Sequence, residues 1–269
     1  MIRNITIGQY YAADSVLHRL DPRVKVIGTL VYIVSLFMFD NFWGYAVAIG
    51  CFCAVTVLSK VPFSYIVRGL KPVFFMLVFT AVLNLFWTPG TAFLRIGAIQ
   101  LTWEGLRKAV FLSFRLIFLI LGSSVMTLTT TPNQLTDALE RLLRPLRCLH
   151  IPVHEIALMM SIALRFIPIL IEETNRIMKA QMARGADFES GNVMQRLRNM
   201  MPILVPLFVS AVRRANDLAL AMDARCYHGG DGRTKMHPLR YQGRDFAAYL
   251  ICIVYCVLLY FSVTFMPMV

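Results

Sequence analysis

Phe246-Ala247-Ala248-Tyr249-Leu250-Ile251-Cys252-Ile253-Val254-Tyr255-Cys256-Val257-Leu258-Leu259-Tyr260-Phe261-Ser262-Val263-Thr264-Phe265-Met266-Pro267-Met268-Val269 is an unbroken run without one charge. At about 1.5 Å per residue a helix over it is about 36 Å long, enough to cross hydrocarbon roughly 30 Å thick. The run places the chain in a bilayer, and composition agrees. Of 269 residues, 58% are hydrophobic and 16% charged, with a mean hydropathy of +0.63, whereas soluble domains are about a quarter charged. A cytosolic globular enzyme, a disordered regulator, a collagen-like chain and a disulfide-stapled secreted module are excluded.

Further spans precede it. The stretch from Val26 to Ser59 carries a single charge, Asp40. A helix that long spans about 51 Å, too much for one crossing and slightly short for two. A helical hairpin turning at Asp40-Asn41 is expected. Pro72 to Leu94 gives a third span, ending near Thr88-Pro89-Gly90, and Ala109 to Leu128 a fourth, interrupted only by Arg115. Between them, Phe93, Arg95, Gly97, Ile99 and Leu101 alternate weakly, as a short hairpin or a loop would. The N-terminal segment up to Lys25 holds Gln9, Asp14, His18, Asp21 and Pro22, so no cleaved signal is expected there.

Charge sets the orientation. Lys and Arg number 27 against 15 Asp and Glu, a net +12 with pI about 9.8. With the N-terminus inside, every cation except Arg95, Arg107, Lys108 and Arg115 falls on one side. The positive-inside rule then predicts a cytoplasmic N-terminus and an extracellular C-terminus. This bias accounts for the pI without nucleic acid, since no basic patch is interleaved with aromatics on a soluble fold. Six dispersed cysteines contain no C-x-x-C pair, so packing thiols are expected rather than a zinc or redox site.

A long stretch separates the fourth span from the last, and it behaves neither as lipid-embedded nor as soluble chain. Thr131-Pro132-Asn133 followed by Leu135, Ala138, Leu139, Leu142 and Leu143 reads as a short amphipathic helix that stops before Pro145. A longer helix opens at His150 and Pro152 and runs to about Gly185. In it Ser161, Arg165, Glu172, Arg176 and Lys179 form one narrow polar stripe on an apolar rod. A third helix, about Asn192 to Ala224, has an uncharged stretch between Arg198 and Arg213 that is too short for a span. Two long helices on the cytoplasmic membrane face are expected, with Pro168, Pro202 and Pro206 as candidate hinges.

Both rods end alike. Ala183-Arg184-Gly185 closes the first and Ala224-Arg225-Cys226 the second. Arginine beside a C-terminal glycine is also an ordinary helix end. The duplicate adds weight, because Cys226 can take the left-handed cap only at a cost, yet the small-Arg-small pattern persists. Small neighbours let a helix end enter a groove, and guanidinium offers five fixed donors there.

Several chemistries lack their residues. Gly229-Gly230-Asp231-Gly232-Arg233-Thr234 has neither P-loop spacing nor its lysine and reads as a turn. His154-Glu155 lacks the second histidine of a zincin, because Leu158 stands there, and no G-x-S-x-G occurs. No metal site or cofactor is expected in this chain. The alternative is a membrane-embedded lipid or isoprenoid enzyme working through His150, His154 and Glu155.

Asp14-Ser15-Val16-Leu17-His18-Arg19-Leu20-Asp21-Pro22-Arg23-Val24-Lys25, Thr129-Thr130-Thr131-Pro132, Ala163-Leu164-Arg165-Phe166-Ile167-Pro168 and Ala180-Gln181-Met182-Ala183-Arg184-Gly185-Ala186 resemble the signatures of one family. That family is the transmembrane T components of energy-coupling factor (ECF) transporters, prokaryotic importers of vitamins and metal ions, and the likeness covers nearly the whole chain. It implies an all-α polytopic fold with about five transmembrane helices and a coupling domain of three amphipathic helices. Residues 1–130 would hold four spans, 131–240 the coupling domain and 241–269 the last span. It implies a non-catalytic subunit of the cell membrane whose two Ala-Arg-Gly motifs, mapping onto Ala183 to Gly185 and, with a departure at Cys226, onto Ala224 to Cys226, dock on two ABC-type ATPases that bind ATP and Mg. A membrane S component would hold the cargo. Ile156, Met159, Met160, Ile162, Met200, Met201 and Leu204 would face it, since methionine repacks readily; the same residues also suit lipid-facing or core packing.

Overall fold

The computed structural model describes residues 10–87, 92–96, 99–186, 188, 192–230, 236 and 238–265. The fold is all-α apart from one short hairpin. In order come α1 (Pro22–Ser35), α2 (Phe42–Ser59), α3 (Phe63–Arg68), a 3-10 turn (Lys71–Val73), α4 (Phe74–Trp87), β1 (Ala92–Ile96), β2 (Ile99–Thr102), α5 (Trp103–Thr129), α6 (Pro132–Leu143), a second 3-10 turn (Arg144–Leu149), α7 (Val153–Ala183), α8 (Val193–Asp223) and α9 (Gly243–Phe265). Of the two readings of the segment between the third and fourth predicted spans, the hairpin forms: β1 and β2 pair antiparallel, with a register shift between Ala92 and Leu94. The predicted turn at Thr88-Pro89-Gly90 and residues 266–269 of the last span lie outside the described residues.

Among the described residues, five helical segments are long and apolar enough to cross a bilayer: Phe42–Ser59, Phe63–Trp87, Trp103–Thr129, Val153–Ala183 and Gly243–Thr264. Two departures from expectation stand out. The first arm of the hairpin, α1, has only 14 residues, about 21 Å of helix. The stretch from Val26 to Ser59 is too short for two full crossings and a turn, and α1 is the arm that gives way. α7, expected on the membrane face, also has the length and apolarity of a span.

The chain divides into two compact units, Gly8–Ala138 with Leu239–Val269, and Leu139–Pro238. In the first, α1, α2, α5 and α9 pack together and α4 lies along α5. Asp21 starts α1 by accepting the Arg23 N–H at 2.9 Å, with Pro22 in the first turn, where its missing donor costs nothing. Thr102 ends β2 and caps α5, its hydroxyl accepting from Gly105 N at 3.1 Å. The core is aromatic and aliphatic: Tyr32, Leu36, Phe39, Tyr45, Ala48, Phe52, Leu121, Val125 and Tyr255 are buried. Gly122 lets α5 approach α1, since a Cβ there would lie 2.7 Å from the Tyr32 ring. Phe75 and Trp87 on α4 are each 81% exposed, the condition of side chains that meet lipid instead of water.

Candidate functional site

In the second unit α7 packs on α8. Glu173 accepts an ion-paired hydrogen bond from Arg214 at 3.3 Å, and the Gln181 side-chain amide donates to the carbonyl of Pro202 at 3.4 Å. Rising sequence number on α7 thus meets falling number on α8, and the two run antiparallel. The second contact has a local cause. An α-helical carbonyl accepts from the residue four positions on, and for Pro202 that residue is Pro206, which has no N–H. Gln181 supplies the missing donor. The polar stripe of Ser161, Arg165, Glu172, Arg176 and Lys179 makes no part of this bonding; the cross-helix ion pair falls to Glu173, the neighbour of Glu172.

The two helix ends are built identically. After α7, Gly185 N donates to Met182 O and Ala186 N to Gln181 O, both at 3.0 Å, with Gly185 at φ +89°. After α8, Cys226 N donates to Asp223 O at 2.9 Å and Tyr227 N to Met222 O at 3.1 Å, with Cys226 at φ +55°. Both are Schellman caps. Arg184 and Arg225 occupy the same position, the last before the left-handed residue. Cys226 therefore does adopt the conformation that sequence chemistry disfavours, at about 1–2 kcal/mol for a residue with a Cβ. Arg184, Arg225 and Cys226 are exposed, as are Ala183 and Ala224, with Gly185 beside them at the end of α7. Antiparallel pairing sends the two arginines to opposite ends of the pair, separated by up to about 35 Å along it.

Of the apolar residues singled out, Met159 (60%) and Met201 (58%) are well exposed; Ile156, Met160, Met200 and Leu204 are exposed and Ile162 half-buried. They do not form one patch. Met200, Met201 and Leu204 flank Pro202, hence Gln181, whereas Ile162 lies about 28 Å back along α7 from Gln181. Pro168, Pro202 and Pro206 sit inside unbroken helices.

His154 has a packing partner on each side. Its Nδ1 lies 3.1 Å from Glu140 Oε1, and a Cβ on Gly230 would fall 2.2 Å from its ring. The segment following Arg225 is thereby laid over the start of α7. Glu155 is exposed, and His150 is the left-handed residue (φ +59°) of the turn before α7. Asp231 to Thr234, the rest of the glycine-rich turn, lie outside the described residues. Among the described residues no group of three or more His, Cys, Asp or Glu could hold a metal.

The N-terminal signature becomes a polar knot in the first unit. Buried Asp245 accepts from Asp21 N at 2.9 Å and from Gln242 N at 2.7 Å. Asp21 binds the Arg23 guanidinium, which lies 4.2 Å over the Tyr241 ring. Lys25 Nζ donates to Thr129 O at 2.8 Å and His18 O at 3.4 Å. Burial pushes the Lys25 ammonium down to about 8, with the Asp21 charge opposing. Burial likewise lowers His18, although its Nε2 bonds the Tyr11 carbonyl at 2.9 Å. Asp245, Glu173, Arg214 and the bonding role of Gln181 were not among the expected site features. The available signals were a lone acid opening an apolar helix and a proline four positions after Pro202.

Together these features define a multi-pass helical membrane protein that presents two matched cationic helix ends. The family described as cobalt transport protein, CbiQ, matches residues 13–237. The energy-coupling factor transporter transmembrane protein EcfT of Thermosediminibacter oceani is 53% identical over 249 residues, 93% of this chain and 94% of the relative. Its namesake in Clostridium kluyveri is 53% identical over 257 residues, covering 94% and 95%, and that of Bacillus subtilis 47% over 263, covering 97% and 99%. The chain belongs to the EcfT family, the transmembrane components of energy-coupling factor transporters.

Proposed function

We propose that this chain is the scaffold and coupling subunit of an ATP-driven importer, working between two ABC-type ATPase chains and a membrane S component that binds a vitamin or metal ion. ATP and Mg belong to the ATPases, and this chain is non-catalytic and holds no cofactor. Arg184 and Arg225 enter one groove on each ATPase, where five donors per guanidinium meet carbonyls or carboxylates. Closure of the nucleotide dimer changes the spacing of those grooves, and α7 and α8 carry the displacement to the S component. The apolar residues Ile156, Met159, Met160, Ile162, Met200, Met201 and Leu204 contact it. Pro168, Pro202 and Pro206 localise bending. The N-terminus is cytoplasmic, the C-terminus extracellular, and α7 and α8 lie at the cytoplasmic face.

One observation carries this reading: two exposed arginines at the same position of the same helix-end motif, on opposite ends of a bonded antiparallel pair. A single helix terminus needs no duplicate. The test is the double reversal Arg184→Glu with Arg225→Glu in the intact complex. Membrane insertion is retained, co-purification of the ATPases falls, and ATP-driven uptake is lost. Uptake persisting at normal expression overturns the assignment.

A further inference from the structure

The bundle of α1, α2, α5 and α9 is filled at one end and hollow at the other. Leu36, Phe39, Tyr45 and Ala48 close the filled end. At the other, the start of α1, the end of α2, the end of α5 and the start of α9 surround a cavity of about 330 Å³, at the small end of ligand pockets. Its wall is almost wholly apolar and includes Tyr32, Phe52, Val125 and Tyr255, all buried in the bundle. Gly28 contributes backbone alone, and a Cβ added there meets no atom within 4 Å. The polar exceptions include two cations, Lys25 and Arg244.

An apolar cavity of this kind does not fill with water, and in a bilayer the abundant apolar guest is hydrocarbon. The cations indicate what the chain is attached to. Lys25 spends two of its three N–H donors on the Thr129 and His18 carbonyls, leaving one. Arg244 is exposed and engages Gln242 through one Nη, leaving most of its five donors. Nearby Asp21 and Asp245 are occupied, by Arg23 and by backbone N–H groups respectively. Of the further cations by these helix ends, Arg19 is paired with Asp14 and Arg23 with Asp21, while Lys60 and Arg240 add positive charge, as expected of a surface that meets anionic headgroups.

We propose that this cavity holds one acyl chain of an anionic glycerophospholipid whose phosphate is bound at the mouth by Lys25 and Arg244. A bound chain fills the half of the bundle that side chains leave empty. The headgroup settles where the N-terminal signature, the end of α5 and the start of α9 converge, so the lipid ties these three segments together. The buried Lys25 ammonium gains an anionic partner there.

The test uses the full chain in its complex, reconstituted in vesicles containing phosphatidylglycerol or phosphatidylcholine with a photoactivatable group in mid-chain. Lipid on the outer surface labels exposed α9 positions from either vesicle. Only a chain inside the cavity labels Tyr32, Phe52 and Val125, and these adducts are expected from phosphatidylglycerol. Gly28→Leu fills the cavity and abolishes those three adducts while surface labelling persists. Arg244→Gln lowers them about fivefold at limiting lipid, the effect of one cation near a membrane surface. Thermal melting of both variants confirms that they fold. Absence of adducts on the three buried residues overturns the proposal, as does equal labelling by the two lipids or labelling that survives Gly28→Leu in a folded protein.

Discussion

Gln181 on α7 donates its side-chain amide to the Pro202 carbonyl on α8, serving an acceptor that Pro206 leaves without an intrahelical donor. The bond joins the two long helices just before the first arginine, less than one helical turn from Arg184. Gln181→Ala is expected to destabilise the protein by about 1 kcal/mol, the net value of one such bond. Pro206→Ala restores the N–H, so in that background the same substitution should cost less than about half as much. A double-mutant cycle on thermal melts measures the difference, and equal costs in the two backgrounds would contradict the pairing.

Cys226 occupies a left-handed conformation that glycine adopts freely. Cys226→Gly should raise stability by about 1 kcal/mol and leave ATPase association intact, whereas Gly185→Ala should lower stability by about 1–2 kcal/mol. Denaturation of both variants in the same detergent gives the two signs. A loss of stability in Cys226→Gly would show that the thiol has a packing role outweighing backbone relief.

Gly230 rests on the His154 ring with no room for a methyl group. Gly230→Ala should cost about 1–3 kcal/mol through overpacking and expose the segment after Arg225 to protease. His154→Ala in the same chain should recover most of the loss. Proteolytic half-life of the purified complex reports both effects.

Burial opposes the charge of Lys25 and pushes its ammonium down to about 8, below the value of about 10.4 in an unfolded chain. Between these values the unfolded chain binds the extra proton, so this group makes stability rise with pH through the window and contributes no slope below it. Lys25→Met should flatten the rise between about pH 8 and about pH 10. Melting curves for the two proteins in lipid-free detergent across that range test it, and parallel pH profiles there would refute the burial of this charge.

Much of the fold was legible because bilayer and helix impose simple periods. Long apolar runs mark α2, α4, α5 and α9, and caps and prolines mark the ends of α6, α7 and α8 closely. The short reach of α1 was foreshadowed by a hairpin with too little chain. The repeat of small-Arg-small was visible as text, but the shared cap geometry was not. A cysteine at the left-handed position reads as a departure until the backbone is seen.

The amino-acid order by itself determined that this chain is membrane-embedded, how its cations are divided between the predicted sides, and where its two arginine-tipped helices end. These properties follow from local composition and from one helical turn at a time. Tertiary structure decided the rest: the antiparallel pairing that parts Arg184 from Arg225, the Gln181 bond to an orphaned carbonyl, the Asp21–Asp245 tie across the chain, and the hollow end of the bundle. Each depends on residues far apart in sequence arriving at one place, and packing between helices fixes that, since no local propensity encodes it.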